Sequence, residues 1–174
     1  GLPLAVVSAT LADLVQTRGL QAMQYGSGQG EPEIREAICE VMRLEGISAH
    51  PDDVTVTVGS QQALDLVTRI FCDPGDVVLC EAPSYVGALG VFRSFQCEVA
   101  HVAMDEQGLV PEALREAVLA LRAAGRSVKF VYTIPSFHNP AGVTQSLERR
   151  EAILAVAEET DLLVIEDNPY GLLG

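Results

Sequence analysis

Five polar or aromatic side chains share one feature, which is that each follows closely upon a short apolar run. They are Ser60, Tyr85, Asn139, Asp167 and Tyr170. Such runs are typical of buried strands, and in open α/β sheets ligands bind at the carboxyl ends of the strands. The spacing therefore predicts that these residues form part of one cofactor site.

Ser60 and Gln61 stand where the β-rich run 54–58 turns into a segment with helical spacing. A helix start presents N–H groups and the positive end of the helix dipole, and both favour a phosphate group. The Ser60 hydroxyl could donate to the same phosphate. Serine is equally a common helix N-cap, so the motif by itself leaves both interpretations open.

Asp167 follows the apolar run 162–165 and has no cation close to it in the sequence. A carboxylate in such a place needs a cationic partner or hydrogen bonds. That partner could be the protonated ring nitrogen of a cofactor, or simply an arginine. Tyr170 supplies a phenol three residues further along the chain.

Asn139 and Tyr85 also allow a functional and a structural interpretation. Asn139 lies in the loop after the run 128–134, where its amide could donate to a ring oxygen or close a turn. The Tyr85 ring could stack on a planar ligand or pack at the start of a helix. Tyr25, in the glycine-rich loop 25–30, is ambiguous in the same way.

The composition narrows the classes of function. The net charge of −13 argues against nucleic-acid binding, because phosphates require a basic surface. The four cysteines form no CxxC pair and have no zinc-like spacing to the three histidines, so we expect no metal site. No apolar stretch approaches the roughly 20 residues that span a bilayer. No leader segment is recognisable either, which favours a cytoplasmic protein without membrane contact.

The hydrophobic spacing predicts an alternation of helices and strands. Helices are expected over 8–18, 34–42, 61–71, 85–95, 111–124 and 147–160, and strands over 54–58, 77–80, 97–102, 128–134 and 162–165. Gly19 and Gly46 are predicted to end the first two helices. Strands separated by helices of about 10–15 residues favour parallel βαβ units. The prediction is an α/β protein, a three-layer α/β/α sandwich with a mainly parallel sheet and no internal domain boundary, with room for the helix 8–18 to pack outside the sheet.

Taken in order, the motifs resemble a known enzyme family. The chain shows YGSGQGEPEIREAI, TVGSQQALDL, DPGDVVLCEAPSYVGAL, YTIPSFHNPAGVT and VIEDNPYGLL. This order resembles the pyridoxal-phosphate-dependent aminotransferases of fold type I, and within them the kynurenine/2-aminoadipate subgroup. The likeness runs from Gly1-Leu2-Pro3 to the last residue. It implies an enzyme that moves an amino group between an amino acid and a 2-oxo acid with pyridoxal 5′-phosphate as cofactor.

The resemblance also implies roles for single residues at the phosphate end of the cofactor. Ser60 and Gln61 match the turn that binds the phosphate, and Tyr85 matches the aromatic ring that stacks on the pyridine. Tyr25 matches a tyrosine that reaches the phosphate of the cofactor in the neighbouring subunit. This last match implies a homodimer.

Three further matches concern the cofactor ring itself. Asn139 and Tyr170 match the two groups that hydrogen-bond the phenolic oxygen of the ring. Asp167 matches the acid that keeps the pyridine nitrogen protonated. The likeness also predicts cis peptide bonds at Ala82–Pro83 and Asn139–Pro140, a form that is uncommon even before proline.

The lysine that binds the cofactor as a Schiff base in this family is expected beyond Gly174, so no catalytic residue is predicted within the chain. The single lysine present, Lys129, opens a predicted strand, where the family has no catalytic group. Residues 1–174 are therefore expected to be the amino-terminal part of the large cofactor-binding domain of a longer chain, inactive by themselves. The rest of that domain and a small carboxyl-terminal domain would be absent.

Alternatives to an aminotransferase stay open. One is the aminotransferase-like effector domain of a winged-helix transcription regulator. Another is a pyridoxal-phosphate-dependent lyase or decarboxylase, which would use the same large-domain motifs. A degenerate structural paralogue is a third, although the retention of Asp167, Asn139 and Tyr170 argues against it.

Overall fold

The computed structural model describes residues 2–173, so Gly174 and the first residue of the motif Gly1-Leu2-Pro3 lie outside the described residues. The chain divides into two compact units at Thr57 and Val58.

The amino-terminal unit is helical. Helix α1 spans Leu4–Ala22, helix α2 spans Pro32–Leu44, and a 3-10 turn covers Pro51–Asp53. The prediction that α1 ends at Gly19 was wrong: the chain kinks at Arg18, and the Met23 N–H then bonds to the Gly19 carbonyl, which completes a further turn.

The end of α2 follows the prediction. Gly46 adopts a left-handed backbone with a φ of +77°. The N–H of Ile47 bonds back to the Met42 carbonyl at 3.1 Å. A residue without a Cβ takes this conformation at little cost, which is why glycine commonly ends helices.

The segment 54–58 is not a strand of the sheet, so that prediction was wrong. The Val56 N–H bonds to the Gln29 carbonyl at 2.8 Å. At Gly30, whose φ is +101°, a Cβ would lie 2.6 Å from the Val56 side chain, so only glycine fits there. A strand requires a ladder of hydrogen bonds with a neighbouring strand, and within residues 2–173 no strand pairs with this segment. Its alternating sequence favours an extended backbone but cannot supply a partner.

Residues 58–173 form a three-layer α/β/α sandwich. The strands are β1 Val77–Ala82, β2 Glu98–Asp105, β3 Gly108–Leu109, β4 Val128–Thr133 and β5 Leu163–Glu166. The helices are α3 Gly59–Phe71, α4 Val86–Ser94, α5 Pro111–Ala123 and α6 Leu147–Glu159. The strand order is β3-β2-β1-β4-β5, and every pair is parallel except β2 with β3. The predicted α/β class is confirmed; the two-residue β3 was not predicted, because it is too short to leave a pattern.

The sheet is covered on both faces. Alternate residues of a strand point to opposite sides, so Cys80 and Tyr132 pack with α3 and α4, whereas Leu79 and Val131 pack with α5 and α6. Burial on both faces explains why β1 and β4 are nearly continuous apolar runs. The parallel register, with Thr133 beside Glu166, brings the carboxyl ends of the strands to one edge of the sandwich.

Candidate functional site

A cavity of about 140 Å³ lies at the carboxyl ends of the strands. Its wall contains Ser60, Tyr85, Ile134, Asn139, Asp167, Pro169 and Tyr170. The five side chains singled out by spacing therefore meet around one cavity, with two apolar neighbours. Gln61, which the resemblance places beside them, is exposed and does not belong to this wall.

Ser60 is an early residue of helix α3 and not its N-cap. The N-cap is Val58, whose N–H donates a hydrogen bond to Gln62 Oε1 at 2.6 Å. The capping interpretation of Ser60 therefore fails. The exposed hydroxyl stands next to the backbone N–H groups of a helix start, an arrangement that suits an anion.

Asp167 is held by strand β4. Its N–H donates to the Thr133 carbonyl at 2.9 Å, and Tyr132 donates its hydroxyl to Asp167 Oδ2 at 2.6 Å. Burial of the Tyr132 phenol raises its pKa, and the hydrogen bond to the Asp167 carboxylate raises it further. Tyr132 therefore stays protonated and fixes one carboxylate oxygen, while the carboxyl group borders the cavity.

An arginine partner for Asp167, the structural interpretation, is not observed. Within residues 2–173 no Lys, Arg or His nitrogen lies within ion-pair distance of its carboxylate. Among residues 2–173 the hydrogen-bond donor observed at this carboxylate is the neutral Tyr132 hydroxyl. Such a carboxylate is suited to accept a cationic ligand group.

Asn139 is presented by the loop after β4. The loop is closed by the His138 N–H, which bonds to the Val143 carbonyl at 2.8 Å, and Gly142 has a φ of +72°. The peptide bond Asn139–Pro140 is cis, and so is Ala82–Pro83, as predicted. The loop thereby brings the exposed Asn139 side chain to the cavity.

The Tyr85 ring lies across the start of helix α4. A Cβ on Gly87 would come within 2.5 Å of the ring carbon Cζ, so glycine leaves the space that the ring occupies. The ring packs against the core on one side and remains half-buried. Both the stacking and the packing interpretations are compatible with this position.

Two further residues are not among those that line the cavity. Tyr25 belongs to the amino-terminal unit, and its side chain is fully exposed. Lys129 is the second residue of β4, so it lies at the amino end of the sheet, where its Nζ is 3.2 Å from Asp76 Oδ2. The one lysine of the chain is thus at the opposite end of the strand from Asn139.

Sequence reasoning missed two residues beside this site, Tyr132 and Glu81. Both are fully buried, Glu81 after the apolar run 77–80 of β1 and Tyr132 after Phe130 and Val131 in β4. The signal that could have found them is a polar group within an apolar run, because a buried polar group must find a hydrogen-bond partner. Among the described residues no cluster of potential metal ligands occurs. No helix in residues 2–173 has the length and apolarity needed to cross a membrane.

Comparisons with known proteins give a consistent result. The model of the family "Aminotransferase class I and II" matches residues 2–174. The chain is 40% identical to aromatic-amino-acid aminotransferase 1 of Thermococcus litoralis, over 98% of this chain and 41% of that protein. It is 35% identical to an HTH-type transcriptional regulator of Bacillus subtilis, over 97% of this chain and 33% of that one.

Among solved structures, the kynurenine aminotransferase of Pyrococcus horikoshii, determined in complex with PMP, superposes with a TM-score of 0.89 at 38% identity. The match covers 97% of this chain and 42% of that one. The chain thus spans about one third to two fifths of the length of these relatives.

Proposed function

Because the chain belongs to the class I and II aminotransferase family, we propose that the protein containing it transfers an amino group between an amino acid and a 2-oxo acid, with pyridoxal 5′-phosphate as cofactor. One observation carries the proposal: a carboxylate, an amide, a phenol, a hydroxyl at a helix start and an aromatic ring border a single cavity. These groups fit each part of the cofactor.

We assign the residues as follows. The Ser60 hydroxyl and the N–H groups at the start of α3 bind the phosphate, with Gln61 in the same turn. Tyr85 stacks on the pyridine ring, and Tyr25 serves the site of a second subunit in a homodimer. When bound, the cofactor supplies a ring that withdraws electrons from the α-carbon of the amino acid.

At the other end of the ring, the Asp167 carboxylate accepts a hydrogen bond from the protonated pyridine nitrogen. An adjacent carboxylate favours the protonated form of such a nitrogen. Tyr132 and the Thr133 carbonyl keep Asp167 in place for this contact. Asn139 and Tyr170 donate hydrogen bonds to the ring oxygen, and these bonds orient the ring.

The residues 1–174 are proposed to be the amino-terminal part of the large cofactor-binding domain, with the Schiff-base lysine further along the complete protein. The place of Lys129 supports this, because it is paired with Asp76 at the far end of the sheet. Reduction of the cofactor-loaded complete protein with borohydride, followed by peptide mass spectrometry, locates the modified lysine. A label on Lys129 would contradict the assignment.

The central experiment loads the complete protein with pyridoxal 5′-phosphate and follows its absorbance. Aromatic amino acids, 2-aminoadipate and kynurenine are then offered as amino donors with a 2-oxo acid acceptor, because proteins similar to this chain act on aromatic amino acids and kynurenine. We expect cofactor binding and formation of the new amino acid. A protein that neither binds the cofactor nor transfers the amino group would overturn the proposal.

A second candidate is the effector domain of a winged-helix transcription regulator, favoured by the likeness to the HTH-type regulator. Such a protein would carry a basic DNA-binding segment and would change its affinity for DNA when the cofactor binds. A lyase or decarboxylase would instead release ammonia, thiol or carbon dioxide from the same amino acids, which product analysis detects. The cytoplasmic location inferred from the sequence stays a prediction.

A further inference from the structure

Glu81, at the carboxyl end of β1, is an acid for which the proposed function gives no role. Its side chain is fully buried. A buried carboxylate is costly unless hydrogen bonds satisfy it. Its partners are therefore informative about its purpose.

Four donors surround the Glu81 carboxylate. Oε1 accepts from Thr133 Oγ1 at 2.7 Å and from Gln145 Nε2 at 3.1 Å. Oε2 accepts from the Ile134 N–H at 2.9 Å, and His138 Nε2 lies 2.9 Å from the same oxygen, although outside the angle of a good hydrogen bond. We call these five residues the Glu81 cluster.

The hydrogen-bond directions in the cluster require an acceptor at position 81. His138 Nδ1 accepts from the Ala141 N–H at 3.2 Å, so a ring proton is on Nε2, the nitrogen that lies 2.9 Å from Glu81 Oε2. Gln145 Nε2 also donates to Thr133 Oγ1 at 3.0 Å, which leaves the Thr133 hydroxyl free to donate to Glu81. A carboxylate accepts at both oxygens, whereas an amide would turn an NH₂ group towards donors.

The cluster reaches the cavity along two routes. Thr133, bonded to Glu81 through its side chain, accepts the Asp167 N–H on its carbonyl at 2.9 Å. His138, beside Glu81, immediately precedes Asn139. One carboxylate thus contacts both segments that present polar groups to the cofactor ring.

On the basis of the proposed function, we propose that Glu81 is a positioning residue whose carboxylate fixes the places of Asn139 and Asp167 in the cavity, through His138 and Thr133. The residue does not touch the cofactor. Its replacement therefore changes the surroundings of the cofactor ring through the two segments that do.

The first test is Glu81→Gln in the complete, cofactor-loaded protein. The variant keeps the shape of the side chain but places an NH₂ group opposite hydrogen-bond donors of the Glu81 cluster. We expect kcat/KM to fall about 100-fold, the loss typical of a misplaced catalytic geometry. We also expect the absorbance maximum of bound pyridoxal 5′-phosphate, and the pH midpoint of its titration, to move. Partial unfolding alone lowers the amplitude of this absorbance without moving its maximum.

The matched test is the exchange Glu81→Gln with Gln145→Glu. In the double variant, the amide oxygen at position 81 can accept from Ile134 and His138, and the amide NH₂ group can donate to the new carboxylate at position 145. That carboxylate can in turn accept from Thr133. We expect the absorbance maximum to return to that of the wild type and kcat/KM to recover to within about tenfold, because substitutions at residues in one hydrogen-bond network are coupled. Glu106→Gln, an exposed acid in the turn after β2, is the control and leaves both unchanged.

The proposal is overturned if Glu81→Gln keeps the wild-type spectrum and kcat, or if the double exchange folds but fails to restore them. If Glu81→Gln does not fold, Thr133→Val replaces it, because this change removes one donor and leaves the carboxylate. An unmoved spectrum in Thr133→Val is then equally decisive against the proposal.

Hydrogen exchange separates this proposal from the proposed function. Without cofactor, Glu81→Gln should accelerate amide exchange in 134–145 and 167–170 but not in β2. If exchange accelerates in 134–145 and 167–170 but the protein cannot bind pyridoxal 5′-phosphate, the proposed function is refuted and the positioning role of Glu81 stands. Unchanged exchange in a protein that does bind the cofactor refutes the positioning role alone.

Discussion

The two ends of the parallel sheet each hold a buried acid, and the two acids are satisfied in different ways. At the amino end, Asp76 accepts from the Asp73 N–H at 2.7 Å and pairs with Lys129 at 3.2 Å. Burial tends to raise the pKa of Asp76, but the hydrogen bonds from Asp73, Ser127 and Lys129 together lower it below its ordinary value. The Asp76 side chain thus stabilises the turn 73–76.

At the carboxyl end, Glu81 accepts hydrogen bonds from Thr133, Ile134 and Gln145 and has His138, not a lysine, beside it. Those donors belong to segments that also present side chains to the cavity. The amino end of the sheet thus uses an acid for stability, whereas the carboxyl end uses one to place ligand-binding groups. Substitutions at the two ends should therefore affect different measurements.

The largest effect is expected for Asp167→Asn in the complete protein. The change removes the charge that faces the ring nitrogen, and we expect kcat to fall about 10²- to 10³-fold, as when a preorganised electrostatic contact is lost. The melting temperature should change little, because the amide retains most of the packing. Asp161→Asn is the control, since this exposed residue has a φ of +45° that asparagine also tolerates. Equal kcat in the two variants would contradict the role of Asp167.

Asp76→Asn should affect stability and not catalysis. Losing the charged acceptor should lower the free energy of unfolding by about 1–3 kcal/mol at neutral pH, measured by urea denaturation. Because the folded pKa is depressed, the stabilisation is present above the unfolded pKa of about 3.9 and is lost as the pH falls through the folded value. The difference from wild type should therefore shrink below about pH 4. A fall in kcat without loss of stability would remove the contrast between the two ends.

Tyr132→Phe should have an intermediate effect. The ring keeps its edge-on contact with Phe92, whose centroid is 5.6 Å away, but the hydrogen bond to Asp167 is lost. We expect kcat/KM to fall about tenfold, which corresponds to about 1.4 kcal/mol for one hydrogen bond to a charged group. The pH titration of the bound cofactor should shift. An unshifted titration would mean that Tyr132 only packs.

The smallest effect is expected from a pair of glycine substitutions in helix α4. At Gly87 a Cβ would collide with the Tyr85 ring at 2.5 Å, whereas at Gly90 nothing lies within 4 Å. Gly87→Ala should therefore weaken cofactor binding several-fold, in line with about 0.5–1.5 kcal/mol for an aromatic contact. Gly90→Ala should leave binding unchanged, and both should gain helix propensity. Equal cofactor affinities would show that Tyr85 only packs against the core.

Much of the fold could be predicted, because the relevant signals are local. The spacing of Leu114 and Val118 marks α5, Pro111 marks its start, and the apolar run of β4 marks a strand covered on both faces. The convergence of Asn139 and Asp167 on one cavity also follows from local signals, because parallel strands bring their carboxyl ends together. Ser60 joins them from the start of α3, although the segment before it is not a strand of the sheet. Their roles towards a cofactor remain predictions.

What the sequence by itself determined is the set of segments and the edge at which their polar ends gather, since hydrophobic period and turn residues act within a few positions. Only the tertiary structure decided which segments pair and which buried groups meet. The run 54–58 has strand chemistry yet no strand partner in residues 2–173, and Glu81 finds Gln145 across 64 positions of chain. Pairing and burial depend on neighbours that are distant in sequence, and no local pattern encodes them.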